Sequence, residues 1–283
     1  MSNAPAPEAC YRHGREETYI HCQRCERPIC IACQTPGAVG VLCPECVHPG
    51  GKPRTRRRFS LRVPGTQTPV VTYTLIAITF AVYALQWIPG LGITESFLYA
   101  PVFTFGGNEL GAPYEPWRMV SSIFLHSTGL ILHVLLNMYT LFVFGQVLET
   151  MLGRGRFLSL YLISGFGGSV AVMYLASSQT GVVGASGAIF GLLGAFLVIQ
   201  RKLGGDSTQL LVLLGINLVI GFLPGMSISW QAHVGGLVTG LLIGLIFANT
   251  RNRRQFSTQV ALTSGIALVL VGAVLIHAPG VLG

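Results

Sequence analysis

The sequence predicts an all-α, polytopic membrane protein preceded by a small metal-dependent domain. Three observations carry that prediction. Seven apolar runs fill the chain after residue 68, basic residues gather at alternate ends of them, and all seven cysteines fall before residue 47. Of the 283 residues, 51% are hydrophobic and only 10% are charged, which excludes an ordinary soluble domain. Runs of about 17 to 25 apolar residues are long enough to cross a bilayer. The net charge of +8 would suggest nucleic acid in a soluble protein. Here the bases flank apolar runs, so membrane topology explains them and no nucleic-acid partner is expected.

Residues 1–48 read as a cytosolic zinc-binding domain. Four ligand pairs occur: Cys10-x-x-His13, Cys22-x-x-Cys25, Cys30-x-x-Cys33 and Cys43-x-x-Cys46. A two-residue gap lets both side chains of one turn reach one ion, and eight ligands make two tetrahedral zinc sites. The close spacing of the middle pairs suggests interleaving. Cys10, His13, Cys30 and Cys33 would hold one zinc, and Cys22, Cys25, Cys43 and Cys46 the other. The alternative is a single zinc with spare thiols. His21 and His48 read as bystanders. So small a core needs metal to fold, and its thiols need a reducing compartment. The arrangement resembles a B-box-type cross-braced finger, although that family usually ends in histidines where this chain has Cys43 and Cys46.

Residues 49–68 form a basic linker with Lys52, Arg54, Arg56, Arg57, Arg58 and Arg62. Such a run before a membrane span fixes the cytoplasmic side or touches anionic lipid. The apolar runs follow at about 69–89, 130–152, 157–177, 184–200, 208–224, 230–249 and 259–277. With the N-terminus inside, the inner loops hold Arg154 and Arg156, then Arg201 and Lys202, then Arg251, Arg253 and Arg254. The outer loops hold only Arg118, against Glu95, Glu109 and Glu115. The bias puts the N-terminus in the cytoplasm and the C-terminus outside. No cleavable signal or organelle-targeting segment is evident, which favours a bacterial cell membrane. The first outer loop, about 90–129, is long enough to form short interfacial segments.

This topology gives each polar residue a depth. Ser186 lies near the outer end of the fourth run and His233 one turn into the sixth. His133 and Asn137 lie one turn apart on one face of the second. Singly, each has a plain reading: serine as helix packing, histidine as an interhelical hydrogen bond, the His–Asn pair as helix glue. Together, four polar groups from three helices at one membrane depth indicate a site. A hydroxyl needs an adjacent base to act as a nucleophile. His233 can be that base, and His133, Asn137 and the Ser186 amide can donate to an oxyanion. No carboxylate stands at the outer level to orient His233, so a dyad is expected. Gly187, Gly191 and Gly194, facing Gly236, Gly240 and Gly244, allow close helix approach.

With these residues the chain resembles the rhomboid intramembrane serine proteases. The matching motifs are Gly184-Ala185-Ser186-Gly187, His133-x-x-x-Asn137, Ala232-His233-Val234-Gly235-Gly236 and Trp117-Arg118. The resemblance implies a six-helix core over residues 69–250, followed over 251–283 by an inner loop and a seventh transmembrane helix. It implies Ser186 as nucleophile, His233 as general base, and His133 and Asn137 at the oxyanion. Trp117 and Arg118 would be structural or lipid-facing, and Glu149 a structural acid. His126 lies close to a loop histidine of the family and receives no catalytic role. Phe190 stands where family members often carry tyrosine, so a ring can stack on the histidine without a hydroxyl. The expected activity is metal-independent cleavage of transmembrane segments near the outer face. Expected partners are transmembrane protein substrates, membrane lipid and a cytosolic protein at the zinc domain. Two alternatives are a catalytically silent relative that escorts membrane clients and a transporter. Retention of Ser186 and His233 argues against the first, and a polar site near one face argues against the second.

Overall fold

The computed structural model describes residues 7–36, 40–47, 68–105, 111–221 and 228–277. His48 and all but the last residue of the 49–68 linker lie outside these segments. The chain divides into two compact units, Met1–Thr66 and Gln67–Gly283.

The N-terminal unit has very little regular structure. Strand β1 (Glu8–Ala9) pairs antiparallel with β2 (Glu17–Thr18), and β3 (Thr35–Pro36) with β4 (Val41–Leu42). One 3-10 turn covers Ile31–Cys33 and one helical turn, α1, covers Pro44–Val47. The buried core consists of Cys10, Cys22, Ile29, Cys30, Cys33 and Cys43. Ile29 is its one buried apolar residue other than cysteine. Hydrophobic burial alone therefore cannot offset the chain entropy of ordering this unit.

In the second unit each of the seven apolar runs holds a helix over its described residues. The helices are α2 (Val70–Gln86), α6 (Ile131–Leu152), α7 (Arg154–Leu175), α8 (Ser186–Lys202), α9 (Thr208–Ile220), α10 (Trp230–Asn249) and α11 (Phe256–His277). Between α2 and α6 lie three short helices, α3 (Ile93–Phe97), α4 (Val102–Phe105) and α5 (Arg118–Ser121), and a 3-10 turn at Ser122–Phe124. Among the described residues, α6, α7, α10 and α11 are long and apolar enough to cross a membrane. The third and seventh helices begin three residues before their apolar runs. Helical backbone continues through Arg154 and Arg156 because polar residues are tolerated beyond the hydrocarbon. Gly153, at φ +84°, makes the break from α6.

Helix α8 sits at the centre, with eleven of its 17 residues buried, so it is apolar on nearly all sides. At 1.5 Å per residue it is roughly 25 Å long. That is shorter than a hydrocarbon core of about 30 Å. A Cβ on Gly236 would stand 1.9 Å from the Gly187 carbonyl oxygen, and one on Gly240 2.0 Å from that of Gly191. Backbones that close require glycine. Gly240→Ala is therefore expected to force α8 and α10 apart and cost about 1–3 kcal/mol or more. Gly265→Ala in α11, where a Cβ meets nothing within 4 Å, serves as the control. Thermal unfolding in detergent should separate the two, and equal midpoints would contradict this packing.

Glu149, near the end of α6, caps the start of α2. Its carboxylate accepts from the Val71 and Thr72 amides at 3.0 and 2.8 Å and from the Thr72 hydroxyl at 2.8 Å. A buried anion is thus matched to the unpaired N–H groups and positive end of a helix.

Candidate active site

Four elements converge on the N-terminus of α8. Ser186 is its first residue and is partly buried. His233, one turn into α10, is 6% exposed. Its ring stacks on Phe190 with centroids 4.1 Å apart and planes at 13°. Phe190 is one helical turn after Ser186, so the stack holds the imidazole beside the face that carries the serine. The close contact of Gly187 with the Ala232 carbonyl, where a Cβ would come within 3.1 Å, fixes the same level. Among the described residues no hydrogen bond joins the Ser186 hydroxyl to His233. Such bonds commonly tighten only when substrate binds. Nδ1 of His233 is buried without a protein partner, so no carboxylate orients the ring.

On the other side, the His133 ring edge abuts Gly184. A Cβ at Gly184 would lie 2.9 Å from both Cε1 and Nε2 of His133 and 3.9 Å from the Ser186 Oγ. Gly184 also adopts φ +127°, where a side chain is strained. Glycine there is required by both conformation and space. The Ser127 amide donates to Nδ1 of His133 at 3.4 Å. Nδ1 thus accepts, and in the neutral ring the proton is assigned to Nε2, on the edge that faces the serine. Asn137 donates its Nδ2 to the His133 carbonyl at 2.7 Å, spending one of two amide protons within α6.

His126, given no catalytic role from the sequence, packs directly against the site residues. It is 1% exposed, its ring lies 5.1 Å from that of His133, and its Nε2 accepts from the Ala185 amide at 3.5 Å. Gln86 clamps its backbone, donating to the His126 carbonyl at 2.9 Å and accepting from its amide at 3.0 Å. The available signals were its place near the family's loop histidine and its position seven residues before His133, outside α6, which spacing alone does not interpret.

The long segment between α2 and α6 braces this arrangement. Arg118 is buried, paired with Glu115, and donates to the carbonyls of Glu95 and Leu98 at 2.6 and 3.2 Å. Its guanidinium also covers the Phe103 ring at 3.9 Å. Trp117 beside it is 54% exposed. The amide of Val182 donates to Tyr99 at 2.7 Å, and that of Gly184 to Ser122 at 3.0 Å. The segment leading to the serine is therefore hydrogen-bonded to the loop.

The Rhomboid domain family model matches residues 113–250, the stretch that carries all these residues except Gln86 and the Glu95–Phe103 part of the loop. A Bacillus subtilis relative named putative rhomboid protease YdcA is 32% identical over 201 residues, covering 69% of this chain and 98% of the relative. The chain belongs to the rhomboid family. Rhomboid protease GluP of Bacillus subtilis is 32% identical over 237 residues, covering 81% of this chain and 45% of that protein. RHOMBOID-like protein 6, mitochondrial, of Arabidopsis thaliana is 40% identical over 141 residues, covering 47% of this chain and 44% of the relative. The chain thus spans under half the length of these last two relatives. The family match leaves the N-terminal unit of this rhomboid unassigned.

That unit gathers its ligands into two clusters, Cys10, His13, Cys30 and Cys33, and Cys22, Cys25, Cys43 and Cys46. Within each, the ligand atoms lie within 4.8 Å of one another. His13 Nδ1 is 3.3 Å from the sulfurs of both Cys30 and Cys33, and the Cys25 and Cys43 sulfurs are 3.6 Å apart. Ligands at tetrahedral zinc distances would stand about 3.6–3.8 Å apart, so the donor set fits that ion. His21 joins neither cluster and meets Glu8 at 3.5 Å.

The thiol electrostatics agree. Burial works to raise Cys10 and Cys22, yet surrounding backbone N–H groups outweigh it and bring each down to about 6. Burial and neighbouring thiols push Cys33 up to about 11. Cys46 rises to about 12, chiefly through its hydrogen bond with Cys25.

Proposed function

We propose that this rhomboid is an intramembrane serine endopeptidase that cuts transmembrane segments by a Ser186–His233 dyad. The observation that carries the reading is the Phe190–His233 stack one turn beyond Ser186, with the His133 Nε2 edge against Gly184, two residues before the serine. His233 takes the hydroxyl proton as Ser186 Oγ bonds to the scissile carbonyl carbon. The His133 Nε2–H and the remaining Asn137 amide proton serve the oxyanion. As the C–N bond breaks, His233 returns its proton to the leaving amine. Water then attacks the acyl-enzyme with His233 as base, releasing the new carboxyl end.

The membrane context supplies the substrate class. Helix α8 is too short to reach both interfaces, so Ser186 is recessed below the outer surface when Arg201 and Lys202 lie at the inner one. Water reaches it from outside through the surrounding polar groups. A helical peptide bond is already hydrogen-bonded, so substrates with small or helix-breaking residues near the cut are preferred. The basic inner loops put the N-terminal domain in the cytoplasm and the C-terminus outside, in a cell membrane. Two zinc ions hold the N-terminal domain and take no part in hydrolysis. That domain docks a cytosolic partner or adjusts client choice. The silent, client-escorting alternative leaves the joint presence of Ser186 and His233 without a role.

The test is cleavage of transmembrane peptides by the full chain in liposomes, with product masses locating the cut. Cuts in the outer third of the span are expected. Cuts at the inner end, or none on several helix-destabilised peptides, would count against the reading.

A further inference from the structure

Gln86, the half-buried last residue of α2, lies before the stretch that the family model matches and has no part in the dyad. Its carboxamide nevertheless makes three hydrogen bonds. Nε2 donates to the His126 carbonyl at 2.9 Å and to Thr94 Oγ1 in α3 at 2.9 Å, and Oε1 accepts from the His126 amide at 3.0 Å. A peptide N–H can only donate and a peptide C=O can only accept, so these partners fix which way the carboxamide points. Gln86 thus closes a ring of two bonds with the His126 backbone, as paired residues of two strands do. The segment from Leu125 to Leu130 belongs to no helix or strand, so no backbone ladder of its own holds it.

That clamped segment reaches the site at two points. The His126 side chain accepts at Nε2 from the Ala185 amide at 3.5 Å, on the peptide just before Ser186. The next backbone amide, that of Ser127, donates to Nδ1 of His133 at 3.4 Å. The second contact decides a chemical state. The tautomers of a neutral imidazole differ in which nitrogen carries the proton, and an N–H aimed at Nδ1 excludes the proton from that atom. The proton then sits on Nε2, on the edge against Gly184. In the other tautomer Nε2 is an acceptor and would repel an oxyanion.

We infer that Gln86 is a positioning residue for the oxyanion site: through the His126–Ser127 backbone it keeps His133 in its Nε2–H tautomer beside Gly184. This rests on the dyad reading above, in which His133 serves the oxyanion.

Gln86→Leu keeps most of the side-chain bulk and removes all three hydrogen bonds. The affected donor acts on charge that develops in the transition state. In cleavage of a transmembrane peptide by the full chain in liposomes, kcat should therefore fall by about tenfold, part of the ~10²–10³ that a full oxyanion donor supplies, with KM little changed. In a His133→Ala background Gln86→Leu should cost little more, because the two act as a unit. Thr94→Val removes only the tie from α2 to α3 and should leave kcat well above that of Gln86→Leu. Solid-state NMR of the full chain with isotope-labelled histidine, His133 being assigned by its loss in His133→Ala, reads the tautomer directly. Wild type should be protonated on Nε2 and bare on Nδ1, and Gln86→Leu should show a mixture.

Unchanged kcat in Gln86→Leu, equal losses with and without His133, an equal loss in Thr94→Val, or a wild-type His133 protonated on Nδ1 would overturn the assignment. The wild-type spectrum decides the matter if Gln86→Leu fails to fold. It also needs no turnover, so failure of the dyad, seen as wild-type rates in Ser186→Ala, stays distinguishable from failure of the clamp.

Discussion

Ser186→Ala is expected to lower cleavage of a reconstituted transmembrane peptide by about 10³-fold or more, with the variant folded. The nucleophile is the one group for which no other side chain at the site can substitute. His233→Ala should fall to a similar level, because an unassisted hydroxyl is a weak nucleophile. The double variant should be no worse than either single one, since residues that act as a unit are not additive. Phe190→Ala provides the graded comparison. It loses a ring stack worth about 0.5–1.5 kcal/mol, so a fall of up to about tenfold is expected. Initial rates for the four variants and the wild type in identical liposomes, alongside thermal unfolding, check the series. Wild-type rates in Ser186→Ala would remove the dyad outright.

Chelation of metal is expected to unfold residues 7–47 while the membrane core keeps its structure. Structural zinc in small fingers contributes about 10–16 kcal/mol of folding free energy at neutral pH. In this unit Ile29 is the one buried apolar residue of the core other than cysteine. Loss of either ion should therefore be decisive, and Cys43→Ser should reproduce the effect at the second cluster. Metal analysis should give two zinc ions per chain, and trypsin should cut at Arg15 and Arg24 only after chelation. Because the ligands bind as thiolates and neutral imidazole, acid favours release and stability falls as pH falls. A single metal per chain, or a domain that stays protease-resistant after chelation, would contradict the two-site assignment. Generic peptide cleavage should persist through chelation.

Much of this was legible in the sequence because it repeats at short range. The C-x-x-C spacings are local, and all seven apolar runs hold helices, since hydrocarbon permits little else. The glycine faces of α8 and α10 also follow from a spacing of three or four residues. The contacts across long separations were not legible. Gly184 excludes a side chain because the His133 ring occupies its space, a relation 51 residues apart. Arg118 is buried and paired while Trp117 is exposed, although adjacent residues share one motif. The difference comes from carbonyls at Glu95 and Leu98 that only the folded loop presents. His126 gains its place from Gln86, 40 residues away.

The central claim is that Ser186 is the nucleophile and His233 its base. Mass spectrometry of the full chain after treatment with a mechanism-based phosphonate tests it most directly. One adduct per chain is predicted, on the peptide that contains Ser186, absent from Ser186→Ala and strongly slowed in His233→Ala. An adduct on another residue, or labelling of Ser186 at the wild-type rate without His233, would contradict the account.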